Sequence, residues 1–258
     1  MKIQFASDLH LEFYDNSRWL KENPLIPVGD ILILAGDISY LGDEIYSRHP
    51  FWNLCSENFK ETIVVPGNHE LYKCFDINDL TEGWELKIRD NVRAVYNKVV
   101  HYGAIDLICS TLWAEIPLRE AYFTEKGVTD FRRIKDGGRL LSWERFNEEH
   151  RRCVDFISKS VVDSKEKTKI VVTHHVPSFQ LMADEFQGSM INGAFTSDLD
   201  KMIESLPIDY WIYGHSHRNI ETEIGGTAML TNQLGYVFAK EHKDFKRDKF
   251  LEIIDTIK

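Results

Sequence analysis

The chain has 258 residues, 43% of them hydrophobic and 28% charged, proportions that exclude a collagenous, mucin-like or wholly disordered chain. Lys and Arg number 31 against 41 Asp and Glu, a formal net charge of −10. Grip on a nucleic-acid backbone rests on Lys and Arg, so this balance argues against extended nucleic-acid binding while leaving room for a local phosphate site, especially one carrying metal ions. Four dispersed cysteines, Cys55, Cys74, Cys109 and Cys153, form no CxxC pair, and a chain of this length needs no disulfide framework. They read as reduced, small hydrophobes. The start, MKIQFASDLH, reaches Asp8 before an apolar leader region can form, and no apolar run approaches the roughly 20 residues that span a bilayer. A cytoplasmic protein without a membrane partner is the expectation.

In chain order, residues 2–6 predict a strand that ends at Ser7-Asp8-Leu9-His10, and residues 31–35 predict a second that ends at Gly36-Asp37. Residues 62–65 are β-branched and close at Pro66-Gly67-Asn68-His69-Glu70. Continuous apolar runs of this length predict strands buried on both faces, as in an α/β sheet covered by helices. Residues 43–60 are long enough for a helical crossover between the second and third strands, which implies parallel pairing with a right-handed connection. Residues 92–100 and 104–112 read as a strand pair joined at Tyr102-Gly103, and residues 115–140, with scattered charges and Gly137-Gly138, read as a loop. From Ser142 the pattern turns helical: Ser142 can cap, Arg145 occupies the place of a capping-box Glu, and Phe146, Cys153, Phe156, Ile157 and Val161 follow at roughly helical spacing. Strands follow at 169–172, ending at Thr173-His174-His175-Val176-Pro177, and at 209–213, ending at Gly214-His215-Ser216-His217. Two more are expected at 227–231 and 250–254. No repeat or linker interrupts the chain, so residues 1–258 read as one domain.

Five predicted strands thus end in one chemical vocabulary of Asp, His and Asn. In open α/β sheets ligands sit outside the carboxyl ends of the strands, so Asp8, His10, Asp37, Asn68, His69, His174, His215 and His217 are expected to converge, with His175 nearby. Carboxylate, imidazole and amide oxygen together suit Mn, Fe, Co, Ni or Zn better than Ca or Mg. Gly-Asp and Gly-Asn are ordinary turn signals singly. Joint occurrence at five strand ends decides for a metal site.

Asp8-Leu9-His10, Gly36-Asp37, Gly67-Asn68-His69-Glu70, His174 and Gly214-His215-Ser216-His217 resemble, in order and rough spacing, the signature of calcineurin-like metallophosphoesterases. The match spans about 210 residues. The resemblance implies a four-layer α/β/β/α sandwich of two mixed sheets flanked by helices, and two divalent metal ions. One would be held by Asp8, His10, Asp37 and His217, and the other by Asp37, Asn68, His174 and His215, with Asp37 bridging. Of the His174-His175 pair, His174 fits the motif better and His175 is the alternative. A metal-bridged hydroxide would attack a small phosphate ester, a phosphodiester more than a monoester, with Asn68 steadying developing charge and His69 as general acid. Many relatives read Gly-Asp-x-x-Asp where this chain has Gly36-Asp37-Ile38-Ser39-Tyr40, so the surroundings of the site are expected to differ there.

A catalytically silent scaffold of the same fold is the rival reading, and the complete ligand set ranks it lower. A DNA nuclease is disfavoured by the net charge and by the little length to spare. His49, His101, His150 and His242 read as surface or packing histidines, Arg132-Arg133 as solvated, and Asn192 as a turn residue. Substrate specificity is expected from residues 112–140 and 178–198.

Overall fold

The computed structural model describes residues 1–73 and 75–254, so Cys74 lies outside the described residues. Strand β1 (Lys2–Ala6) is followed by helix α1 (Tyr14–Glu22) and strand β2 (Ile31–Ala35), then by helix α2 (Phe51–Asn58) and strand β3 (Glu61–Val65). The three strands pair in parallel, β1 with β2 and β2 with β3, as the apolar runs and the helical crossover require. A hairpin of β4 (Trp84–Arg89) and β5 (Val92–Tyr96) extends the sheet, with β5 parallel to β3.

Residues 92–100 are not the single strand that was expected. Buried Asn97, at φ 43°, turns the chain from β5 into β6 (Lys98–Tyr102), which belongs to a second sheet and pairs antiparallel with β7 (Ile105–Cys109). Most of β5 and all of β7 are buried, so no switch in hydrophobic period marks where the chain changes sheets.

Residues 115–140 are also more ordered than expected. They hold α3 (Leu118–Gly127), α4 (Asp130–Arg133) and the short ribbon of β8 (Lys135–Asp136) with β9 (Arg139–Leu140). Helix α3 exposes Leu118, Tyr122 and Phe123, which blurs its apolar stripe.

Helix α5 (Trp143–Asp163) starts as predicted, with Ser142 Oγ accepting the Arg145 backbone N–H at 3.3 Å. The chain then forms β10 (Thr168–Val172), α6 (Asp200–Ser205), β11 (Tyr210–Tyr213), β12 (Thr222–Ile224), β13 (Thr227–Thr231) and β14 (Phe250–Glu252).

The two six-stranded sheets have the orders β14-β1-β2-β3-β5-β4 and β12-β13-β11-β10-β7-β6, each mixed in direction. Period-2 alternation assigns their faces. Ile3, Phe5, Ile33, Val65, Leu107, Ile170, Val172 and Ile212 pack between the sheets. On the outer face of the first sheet, Leu32, Leu34 and Val64 meet Leu20 of α1 and Trp52 and Cys55 of α2. On the outer face of the second, Ile108, Val171 and Trp211 meet Ile157 and Val161 of α5 and Ile203 of α6. The result is the expected α/β/β/α sandwich. No helix among the described residues is long and apolar enough to cross a membrane.

Candidate metal centre

The parallel strands of both sheets deliver their carboxyl ends to one edge of the sandwich. Asp8 and His10 follow β1, Asp37 follows β2, Asn68 and His69 follow β3, His174 follows β10, and His215 and His217 follow β11. All eight are buried or nearly so. Asp8, His10, Asp37, His215 and His217 have φ between 47° and 74°, in the left-handed region that non-glycine residues seldom occupy. Such strain costs on the order of 1–3 kcal/mol per residue and persists only where the surroundings enforce it. It is what turns Asp-x-His and His-x-His, whose donors would alternate on an extended strand, toward a common centre.

The donor atoms fall into overlapping clusters. Asp8, His10 and His217 form one, with His10 Nε2 at 3.0 Å from His217 Nε2 and His217 Nε2 at 3.4 Å from Asp8 Oδ1. Asp37, His174 and His215 form another, with His174 Nε2 at 3.3 Å from Asp37 Oδ1, 3.1 Å from His215 Nδ1 and 3.0 Å from Asn68 Oδ1. Asp37 Oδ2 points the other way, 3.9 Å from His10 Nε2 and 3.8 Å from His69 Nε2.

The opposite ring nitrogens of three histidines are already engaged. His10 Nδ1 faces Glu12 at 3.1 Å, His217 Nδ1 faces Glu241 at 2.7 Å, and His174 Nδ1 donates to the Ala35 carbonyl at 3.0 Å. These partners aim each Nε2 inward, the arrangement that orients imidazoles around metals. Close pairs of inward nitrogens need a shared cation or a proton, so the donor set fits divalent metals.

His175 points elsewhere. Its Nδ1 donates to the Thr111 carbonyl at 3.3 Å, and its ring packs near Trp113 and His215. His49, His101 and His150 have partners of their own, including the Leu112 carbonyl for His150.

Four residues around the site have roles that the sequence reading did not assign. Glu70 is fully buried, and its carboxylate accepts the backbone N–H groups of Asp37, Ile38, Ser39 and Gly67 at 2.7–3.2 Å, tying the loop after β2 to the loop after β3. Burial and the Asp37 charge push its carboxyl up to about 7. Glu12 bridges His10 and His69, the latter at 2.8 Å from Nδ1. Asp130 accepts Asn68 Nδ2 at 2.9 Å and the Tyr72 hydroxyl, so the amide oxygen of Asn68 is the end left for the centre. Glu241 closes the set behind His217. Glu70 closes the Gly67-Asn68-His69-Glu70 motif and Glu12 lies two residues after His10, and that was the available signal. Asp130 and Glu241 carried none.

Gly67 shows how tightly the loops pack: a Cβ there would lie 2.2 Å from Asp37 Oδ1. Tyr40, standing where many relatives have Asp, turns its ring toward His69 with centroids 6.3 Å apart. Removing Glu70 should strand three buried donors and a half-buried one. Glu70→Ala is expected to lower stability by about 3 kcal/mol or more, read from urea melts; a change below about 1 kcal/mol would deny it the tie.

A family profile described as calcineurin-like phosphoesterase matches residues 1–219. The chain belongs to that family. It is a hydrolase of phosphate esters, with His/Asp clusters able to hold divalent metal. An uncharacterized protein of Acanthamoeba polyphaga mimivirus is 30% identical over 279 residues, covering 97% of this chain and 96% of that one. Among solved structures, the phosphopantetheinyl hydrolase of Mycobacterium tuberculosis shares the fold, with a TM-score of 0.66 at 18% identity over 99% of this chain and 96% of that one.

In this phosphoesterase two histidines of the clusters, His174 and His217, hold protons that a cation bound there would displace. Burial lowers the affinity of His174 and His217 for a proton, but Asp37 raises the first to about 9 and Asp8 with Glu241 raises the second to about 10. Both are protonated at pH 7 before a cation binds. Metal loading at pH 7 is therefore expected to release about two protons and to weaken as pH falls. Calorimetry in two buffers of different ionisation enthalpy measures this; proton-independent binding would contradict it.

Proposed function

We propose that this phosphoesterase hydrolyses phosphodiesters at a dinuclear centre, with Asp8, His10, Asp37 and His217 around one cation and Asp37, Asn68, His174 and His215 around the other. The disposition of Asp37 carries the reading: its two oxygens face different histidine clusters, as a bridging carboxylate must. Two cations, when bound, acidify a water and offset the charge developing on the phosphoryl oxygens. Asn68 is locked by Asp130 and Tyr72, so its oxygen needs no reorganisation.

His69 lines the cavity over the site, donates its backbone N–H to Asp37 Oδ1 at 2.9 Å, and has Glu12 on Nδ1 and the Tyr236 hydroxyl 3.4 Å from Nε2. Burial works against its proton, but Asp37 and Glu12 outweigh burial and raise its pKa. It is thus placed to hold a proton at Nε2 for the leaving oxygen. The diester preference rests on charge. No Lys or Arg among the described residues lines the cavity to offset the second negative charge of a monoester.

Chelated protein should regain turnover on adding Mn, Ni, Co or Zn, with bis-p-nitrophenyl phosphate hydrolysed faster than p-nitrophenyl phosphate. Faster monoester turnover would reverse the diester assignment. Two bound cations per chain without turnover of either ester would favour the scaffold reading.

A further inference from the structure

The cavity over the metal centre, about 380 Å³, has two unlike walls. One carries the histidines and Asp37, and the other is apolar, with Val128, Met182, Phe186, Ile191 and Phe195. A second cavity of about 480 Å³ adjoins it, sharing Met182, Ser189, Asn192 and Thr196 as a common wall. Residues 178–198, which supply much of both, form three short turns instead of a covering helix. Phe179, Phe186 and Met190 are left 44%, 36% and 41% exposed along this run.

Charge then narrows what fits. The charged residues of the first cavity besides its histidines are Asp37, Asp130 and Glu241. Asp130 Oδ2 is buried without a hydrogen-bond partner. The second cavity holds Glu115, Glu120 and Asp198 against Arg119, whose guanidinium lies on Glu120 at 3.4 Å. Arg218 packs over the Phe186 ring but is paired with Glu185 and Glu241. A substrate with further phosphates would set them against carboxylates in partly dry surroundings. An uncharged arm instead covers the apolar wall and meets Ser189, Asn192 and Thr196 with hydrogen bonds.

We propose that the substrate is a phosphate ester whose organic arm is uncharged, elongated and largely apolar, running from the metal centre along the wall of Met182 and Asn192 into the second cavity. This excludes nucleoside polyphosphates and nucleic-acid strands as preferred substrates. The proposal rests on the phosphoesterase reading of the same site for the position of the phosphoryl group.

The test uses metal-loaded protein and two readouts. The first is turnover of p-nitrophenyl esters that share one leaving group and differ in the second arm: methyl, octyl, or an alkyl arm ending in phosphonate. The second, independent of chemistry, is calorimetric affinity for methylphosphonate, octylphosphonate and an alkane bisphosphonate. Octyl should exceed methyl by about tenfold or more in both kcat/KM and affinity, a factor that two fully buried methylenes supply. The phosphonate-ended arm should fall at or below methyl. In Met182→Arg the octyl advantage should shrink and the phosphonate-ended arm should gain. A flat series, or one in which the charged arm wins in wild-type protein, overturns the proposal. Failure of the methyl ester to turn over, with the affinity ranking intact, would strike the catalytic reading and leave the arm assignment standing.

Discussion

Asp37→Asn is expected to lower metal-restored phosphodiester turnover by on the order of 10³-fold or more and to reduce the bound metal per chain. Losing a partner that merely orients a ligand costs about 10–100-fold. Asp37 stands between both histidine clusters, so in the proposed dinuclear centre its loss would fall on two cations at once. The substitution keeps the side chain's shape and removes its charge, which makes the comparison one of electrostatics. Burial raises the pKa of this carboxyl, but the charges of His174, His69 and His10, with the His174 hydrogen bond, together outweigh burial and hold it well below the usual range.

A depressed carboxylate contributes stability that is present above its unfolded pKa and lost as pH falls through its folded one. Without metal, Asp37→Asn should therefore melt below wild type at pH 7. The gap should narrow above about pH 9, where His174 gives up its proton. Rate and metal content together check the first part, and thermal melts across pH check the second. Wild-type metal content with wild-type turnover would remove Asp37 from the centre.

His69→Ala should slow diesters with alkyl leaving groups by about 10²–10⁴-fold while slowing p-nitrophenyl esters less than about tenfold, since p-nitrophenolate departs without a proton. Glu12→Gln should show the same selectivity at smaller size. The Glu12 carboxylate faces His69 Nδ1 and supports its protonated form. Removing that charge lowers the pKa of His69, so the alkaline fall in rate for alkyl esters should begin at lower pH in Glu12→Gln than in wild type. A pH–rate series with matched alkyl and p-nitrophenyl esters reads both effects. Equal losses on the two esters would sink the general-acid role.

The chemistry at this edge was legible because ligand types must be encoded as residue types, and strand ends carry them in chain order. Asp8, His10, Asp37, Asn68, His174, His215 and His217 could be singled out that way, and the structure brings them together. The same logic does not reach Asp130. Its carboxylate acts on Asn68 from 62 residues away in sequence, across a helix that exposes its apolar side chains and so hides its period. Nor does it separate His174 from His175. Adjacent residues differ by the turn of one backbone unit, and only the packing of Ala35 against one ring and of Thr111 against the other decides which nitrogen meets Asp37.

By itself, the sequence determined the fold class, the parallel strand order at the start of the chain, and the inventory of donors at strand ends, because buried strands must be apolar and ligands must be chemically competent. Tertiary structure alone decided three further things. It held five residues at left-handed φ so that alternate donors converge. It also set Glu12 against His69 Nδ1 and turned the Tyr40 ring toward the same histidine. Finally, it built from residues 178–198 a wall without cations beside the centre. The physical reason is common to all three: a side chain's role follows from its neighbours in space, and those neighbours come from both sheets, joined only when the sandwich closes.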